Sequence, residues 1–128
     1  MTNPTELKYS KDHEWVKLEG DIAIVGVTDF AQKQLTDIVF VELPENGKKV
    51  EKNKPMAVIE SVKSVSDVFS PVTGEVVAIN ESLKDNPDTI NKNPYDEGWV
   101  AKIKIVDNSE LDGLMSAEDY EKFTAENH

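Results

Sequence analysis

Turn signals recur at close intervals along this chain and limit what it can fold into. Glu19-Gly20-Asp21, Pro44-Glu45-Asn46-Gly47, Asn53-Lys54-Pro55, Pro71-Val72-Thr73-Gly74 and Asp107-Asn108-Ser109 all carry residues suited to chain reversals. The apolar runs between them are only strand-length. Residues 14–18 alternate and 22–27 return as a more buried strand, so the two read as a hairpin. Further strands are expected over 37–43, 48–52, 56–59, 65–69, 75–79 and 99–106, after a short extended lead-in at 7–10. Thr28 reads as the N-cap of a short helix over 29–35, with Phe30, Ala31, Gln34 and Leu35 on its inner face. Residues 80–86 allow one or two helical turns before Pro87, and 88–98 read as loop. Ser116-Ala117-Glu118-Asp119 is a capping-box pattern that opens a terminal helix over 116–126, with Ala117, Tyr120 and Phe123 inward. The pattern predicts a mostly-β sandwich or barrel with helical decoration. At 128 residues, with no linker, it is one domain over 1–128.

There is one internal echo. Val41-x-x-Pro44-x-x-Gly47-x-x-Val50 and Val68-x-x-Pro71-x-x-Gly74-x-x-Val77 share four positions in ten, and both read strand, turn, strand. They suggest two halves related by a pseudo-dyad, or a coincidence among common turn residues.

The chemistry available is narrow. There is no cysteine, which excludes disulfides, thiolate catalysis and zinc ribbons. His13 stands alone beside Glu14 and Trp15, and His128 is the last residue, so no metal site is expected. The glycines are isolated turn residues rather than a phosphate loop. Carboxylates are plentiful, yet nothing in their spacing builds the lined pocket that an acid/base pair needs; no catalytic residue is expected. The net charge of −11 argues against nucleic acid. It leaves either a plainly solvated surface or a body steered onto basic clefts of partners. No apolar run approaches a membrane span and no export or transit pattern is read, so the expected location is the cytoplasm.

One lysine stands apart. Lys63 lies midway between Met56-Ala57-Val58-Ile59 and the run 65–69, at the crest of a hairpin spanning 56–70. The crest, Glu60-Ser61-Val62-Lys63-Ser64, has no Gly, Pro or Asn to account for a tight turn. A lysine at such a crest is either an ordinary exposed side chain or a group held out for a modifying enzyme. Flanking Glu60 and Asp67, and stiff strands behind, favour presentation.

Glu60-Ser61-Val62-Lys63, followed by Ser66-Asp67 and by Ser70-Pro71-Val72-Thr73-Gly74-Glu75-Val76, resembles the lipoyl-lysine motif of glycine cleavage system H proteins. The resemblance extends to His13-Glu14-Trp15, to residues 26–31 and Leu35-Thr36-Asp37, and to Asn80, Pro87, Ile90-Asn91, Pro94-Tyr95 and Gly98-Trp99. It implies a barrel-sandwich hybrid of the lipoyl/biotinyl type, built from two antiparallel sheets with short helices and a C-terminal helix. It also implies a non-enzymatic carrier with lipoate in amide linkage to Lys63. That carrier would move an aminomethyl group from a pyridoxal-phosphate glycine decarboxylase to an aminomethyltransferase. It would pass electrons to dihydrolipoamide dehydrogenase, after loading by a lipoylating enzyme. Amide formation would remove one positive charge, taking the formal count from −11 to −12. Glu14 and Asp67 match positions implicated in holding the loaded arm. Asp12 stands where relatives have a small polar residue, and would add a charge beside a cationic amine. The other reading of these carboxylates is as solvated surface groups. Biotin carriers place Met on both sides of the lysine, whereas here the neighbours are Val62 and Ser64. A module of the same fold that is never lipoylated, or that hands lipoate on, is the alternative; an acid/base enzyme is a more remote one.

Overall fold

A computed structural model describes residues 3–126; residues 1–2 and 127–128, His128 among them, lie outside that range. Strands β1 (Lys8–Tyr9), β2 (Glu14–Glu19), β3 (Ile22–Val27), β4 (Ile38–Glu42), β5 (Lys49–Val50), β6 (Pro55–Ser61), β7 (Val65–Phe69), β8 (Gly74–Ile79) and β9 (Ala101–Ile105) form two sheets. One has six strands in the order β1-β2-β3-β9-β8-β5, the other three in the order β4-β6-β7, and all pairings are antiparallel. This is the expected two-sheet hybrid. Helices α1 (Asp29–Leu35), α2 (Ser82–Asp85), α3 (Thr89–Lys92) and α4 (Ala117–Glu126) decorate it.

The alternation read in the strands sends Val16, Val25, Val41, Ile59, Val68, Val76 and Ile103 into the space between the sheets, where all are buried. Burying such side chains stabilises by about 1.5–3 kcal/mol each, and this is the main source of cohesion. A second apolar cluster lies on the far side of the larger sheet. There Leu7, Tyr9, Trp15 and Ile24 meet Ala117 and Tyr120 of α4. Trp15 also donates its indole N–H to the Pro94 carbonyl at 2.8 Å.

The caps fall where the sequence places them. The Thr28 hydroxyl accepts from the Ala31 N–H at 3.2 Å, and the Ser116 hydroxyl from the Asp119 N–H at 3.2 Å. The inner face of α1 differs from expectation: Gln34 is exposed and Asp29 is buried. Asp29 is held by Lys33 at 3.2 Å and by the Gln32 amide at 2.9 Å, while its N–H donates to the Tyr95 hydroxyl at 2.9 Å. Part of the expected 88–98 loop is α3, and the expected turn at 107–109 opens into a 3-10 turn, Asn108–Gly113.

The internal echo has a structural counterpart. Each unit leaves the three-stranded sheet (β4 or β7), turns at a buried proline and enters the six-stranded sheet (β5 or β8). The arriving strands then pair with each other, Lys49 with Glu75 and Val50 with Gly74. A Cβ on Gly74 would stand 2.1 Å from the Lys104 carbonyl oxygen, so this position admits only glycine. Val77 breaks the equivalence: it is exposed where Val50 is buried, because the β8–β9 register shifts between Val76 and Ala78.

Candidate functional site: a lysine on a serine-made turn

The β6–β7 hairpin closes through Val62-Lys63-Ser64, and none of these takes a positive φ. Ser61 makes the turn. Its hydroxyl accepts from the Lys63 N–H at 3.1 Å and the Ser64 N–H at 3.0 Å, and donates to the Ser64 carbonyl at 3.2 Å. The Ser61 N–H donates to the same carbonyl at 2.8 Å. A side-chain hydroxyl thus does what Gly or Asn does in an ordinary tight turn. The sequence holds one local signal for this turn, the serine two residues before the lysine.

The crest is also tethered from the side. The Val62 N–H donates to the Asp37 carbonyl at 3.0 Å, and the Lys63 ammonium reaches the Gln34 carbonyl at 3.4 Å. Asn91, on α3, fixes that neighbouring segment. Its amide donates to the Thr36 carbonyl at 2.8 Å and the Gln32 side chain at 2.9 Å, and its carbonyl oxygen accepts from the Ile38 N–H at 3.0 Å. Asn91 therefore sets where the end of α1 meets the crest.

Beside the lysine lies a cleft of about 370 Å³, walled by Phe30, Ala31 and Leu35 with Asp12, His13, Gln34 and Ser66 at its polar edges. A larger hollow, about 560 Å³, lies off the edge of β4 between Phe40, Pro44 and Ile79, and no crest residue lines it. The smaller cleft is the one within reach of Lys63, since Gln34 both lines it and accepts from the lysine. An aliphatic arm extending from Lys63 meets an apolar wall there and polar groups at the end, which fits a lipoyl chain.

The three carboxylates singled out from the sequence occupy three different places. Asp12 lines the cleft. Glu14 is buried at 1% exposure, so it is no solvated surface group. It accepts from the Ser10 hydroxyl and from the Phe69 N–H at 3.1 Å, tying β2 to the base of the lysine hairpin. Burial pushes its carboxyl up to about 7, although both hydrogen bonds oppose the shift. Asp67 is exposed and pairs across from Val58, on the face opposite Ser66. His13, at φ 69, stacks on Phe30 with ring centroids 4.7 Å apart, and its Nδ1 lies 2.7 Å from the Tyr120 hydroxyl. Burial holds its imidazole below the usual range. Tyr120 also bonds Thr28 at 2.7 Å, so α4, the cap of α1 and the cleft wall form one network.

A two-sheet barrel that raises one lysine on a rigid crest beside an apolar cleft defines a carrier of the lipoyl/biotinyl type. Comparison with known proteins narrows the class. The family model described as "Glycine cleavage H-protein" matches residues 7–127. The glycine cleavage system H protein of Halothermothrix orenii is 53% identical over 126 residues, covering 98% of each chain. That of Listeria innocua is 55% identical over 122 residues, 95% of this chain and 98% of the other. The crystal structure of the Mycobacterium marinum H protein superposes with a TM-score of 0.89 at 33% identity, covering 96% of this chain and 99% of that one. The chain belongs to the glycine cleavage H-protein family. Members carry lipoate covalently on a lysine and serve the glycine cleavage system as its lipoyl shuttle, working with the enzymes of that system rather than as a catalyst. Among the described residues, no helix is long and apolar enough to cross a membrane.

Proposed function

We propose that Lys63 is the lipoyl attachment point and that residues 1–128 act as one carrier unit in the cytoplasm. The single observation that carries this is the crest itself: Lys63 is exposed on a turn that Ser61 closes with its hydroxyl, so its amine is accessible on a fixed support. The proposed partners are glycine decarboxylase, the aminomethyltransferase, dihydrolipoamide dehydrogenase and a lipoylating enzyme. When bound, lipoate supplies the disulfide chemistry of the cycle, which a chain without cysteine cannot.

The chain's own residues supply reach and shelter. Lys63 adds its length to the tether and keeps the carried group concentrated near a docked active site. Phe30, Ala31 and Leu35 offer the returning arm a surface that excludes water. Asp12 presents a carboxylate at the cleft rim, suited to a cationic amine on the arm. Glu14 acts behind that wall, fixing β2 against Phe69. Asp67 faces away from the cleft, and a contact with the arm would have to pass over the hairpin.

The test is intact mass after incubation with lipoate, ATP and a lipoylating enzyme. A lipoyl-sized increment, absent in Lys63→Arg, is expected, followed by glycine–bicarbonate exchange with the decarboxylase. Complete loading of Lys63→Arg would move the site elsewhere. No increment in the unaltered chain would favour a module of the same fold that is never lipoylated.

A further inference from the structure

The outer face of the three-stranded sheet carries an unusual pattern. Across its strands the residues run Phe40–Glu60–Val65 and, one step further from the crest, Glu42–Val58–Asp67. Apolar and acidic side chains alternate in both directions, a checkerboard of three and three with no cation. Phe40 is 48% exposed and Val65 66%, and Val62 beside them on the crest is 68% exposed. The row between, Val41–Ile59, points inward and is buried, so the exposed apolar groups are not strands left without a core.

The six-stranded sheet is different. Its corresponding rows run Glu19–Ile22–Lys104–Glu75–Lys49 and Lys17–Ile24–Lys102–Ala78. Cations outnumber carboxylates there, and Ile24 is covered. Carboxylates are thus the only charged groups in these rows of the three-stranded sheet, whereas the rows of the six-stranded sheet mix both signs.

We propose that this checkerboard is the surface on which glycine decarboxylase docks, through an apolar patch interspersed with basic side chains. The proposal rests on Lys63 being the loaded residue. Alternation allows each apolar contact to be flanked by an ion pair that desolvates with it, which gives register and orientation as well as area. The acidic field steers a basic partner onto the sheet that ends at the tether. Phe40, at one edge, and Val65, next to the crest, are the apolar anchors; Glu42 and Asp67 hold the far corners. A second copy of this chain is disfavoured as occupant, because two such faces would set carboxylate against carboxylate.

The experiment compares two double variants that make matched changes on opposite sheets. Phe40→Ser with Glu42→Lys alters the checkerboard. Val77→Ser with Glu75→Lys makes a similar loss of exposed apolar surface and the same charge change on the other sheet. Each is fully lipoylated, as checked by intact mass, and assayed in glycine–bicarbonate exchange with the decarboxylase. The first should raise KM for the carrier by about tenfold with little change in kcat, and should weaken the rise of KM with salt. The second should stay within about twofold of the unaltered chain. Equal KM values for the two variants would overturn the proposal. So would sedimentation of the unaltered chain as a dimer that Phe40→Ser returns to monomer, since that assigns the face to a second copy. A chain that takes up no lipoate at Lys63 fails at the mass measurement, which separates that failure from this one.

Discussion

The β2–β3 and β6–β7 hairpins reverse direction by opposite means. The first turns at Gly20, held at φ +66, with open space where a Cβ would stand. The second turns on the Ser61 hydroxyl, and its crest residues keep ordinary negative φ values. A turn that depends on left-handed backbone restricts the residue at its tip to Gly or Asn. A turn closed by the side chain before it leaves the tip free, so Val62, Lys63 and Ser64 can suit the enzymes that handle them. The hairpins also differ in what surrounds them. The first lies within the larger sheet, between β1 and β9, whereas the second lies at an edge of the smaller one with its outer face open. Glu14 joins the two through the Phe69 N–H.

The largest test of that comparison cuts this join. The Glu14 carboxyl binds its proton more tightly in the folded chain, at about 7, than in the unfolded one, at the usual carboxylate value. Stability from this group is therefore present at low pH and falls as pH rises from the carboxylate range toward 7. The total by linkage is about 3 kcal/mol. Glu14→Gln keeps an acceptor for the Phe69 N–H and should flatten that slope in urea unfolding measured at pH 5 and pH 7.5. Identical slopes in the two chains would mean that the carboxylate does not couple the hairpins. Next in size is Asn91→Ala, which strands the N–H of buried Ile38, leaves the exposed Thr36 carbonyl to water, and should cost about 2 kcal/mol. It should also speed hydrogen exchange at the Val62 amide, whose acceptor, the Asp37 carbonyl, lies in the segment that Asn91 fixes. Unchanged exchange there would show the crest standing without the tether.

Both residues were only partly legible in the sequence, and for the same reason. Caps are local: Thr28 and Ser116 find their partners three residues on, so the pattern alone located α1 and α4. Asn91 bonds residues 53 and 55 positions away, and Glu14 bonds one 55 away. No window along the chain contains both ends of such a bond. Glu14 in a strand reads as solvated until the second hairpin covers it. Gln34 is expected inward by its spacing, but the buried place belongs to Asp29, whose carboxylate is held by Lys33 and Gln32 and whose N–H is met by Tyr95, 66 residues further on. The alternating strands were legible because burial between two sheets imposes a period of two. The checkerboard was not, since it needs the register of three strands at once.

The two turns themselves give the smaller effects. Gly20→Ala places a side chain on left-handed backbone and should cost about 1 kcal/mol. Nothing near its Cβ is displaced, so lipoylation should proceed at the original rate.

Ser61→Ala should cost less stability, about 0.5 kcal/mol, because the bonds it removes are exposed and water can replace them. Its consequence lies elsewhere. Without the hydroxyl, the Lys63 and Ser64 amides lose their common acceptor, and only the Ser61 N–H bond to the Ser64 carbonyl still closes the turn. The lysine then samples many orientations, and a modifying enzyme must select one, which lowers the productive fraction. The initial rate of lipoyl incorporation at subsaturating carrier should fall about twofold, in line with that energy. Ser61→Thr, which restores a hydroxyl at the same position, should recover most of it. A rate that follows stability, falling for Gly20→Ala as much as for Ser61→Ala, would mean that the hairpins differ in composition alone. A rate that falls only for Ser61→Ala would place the difference in the presentation of the lysine.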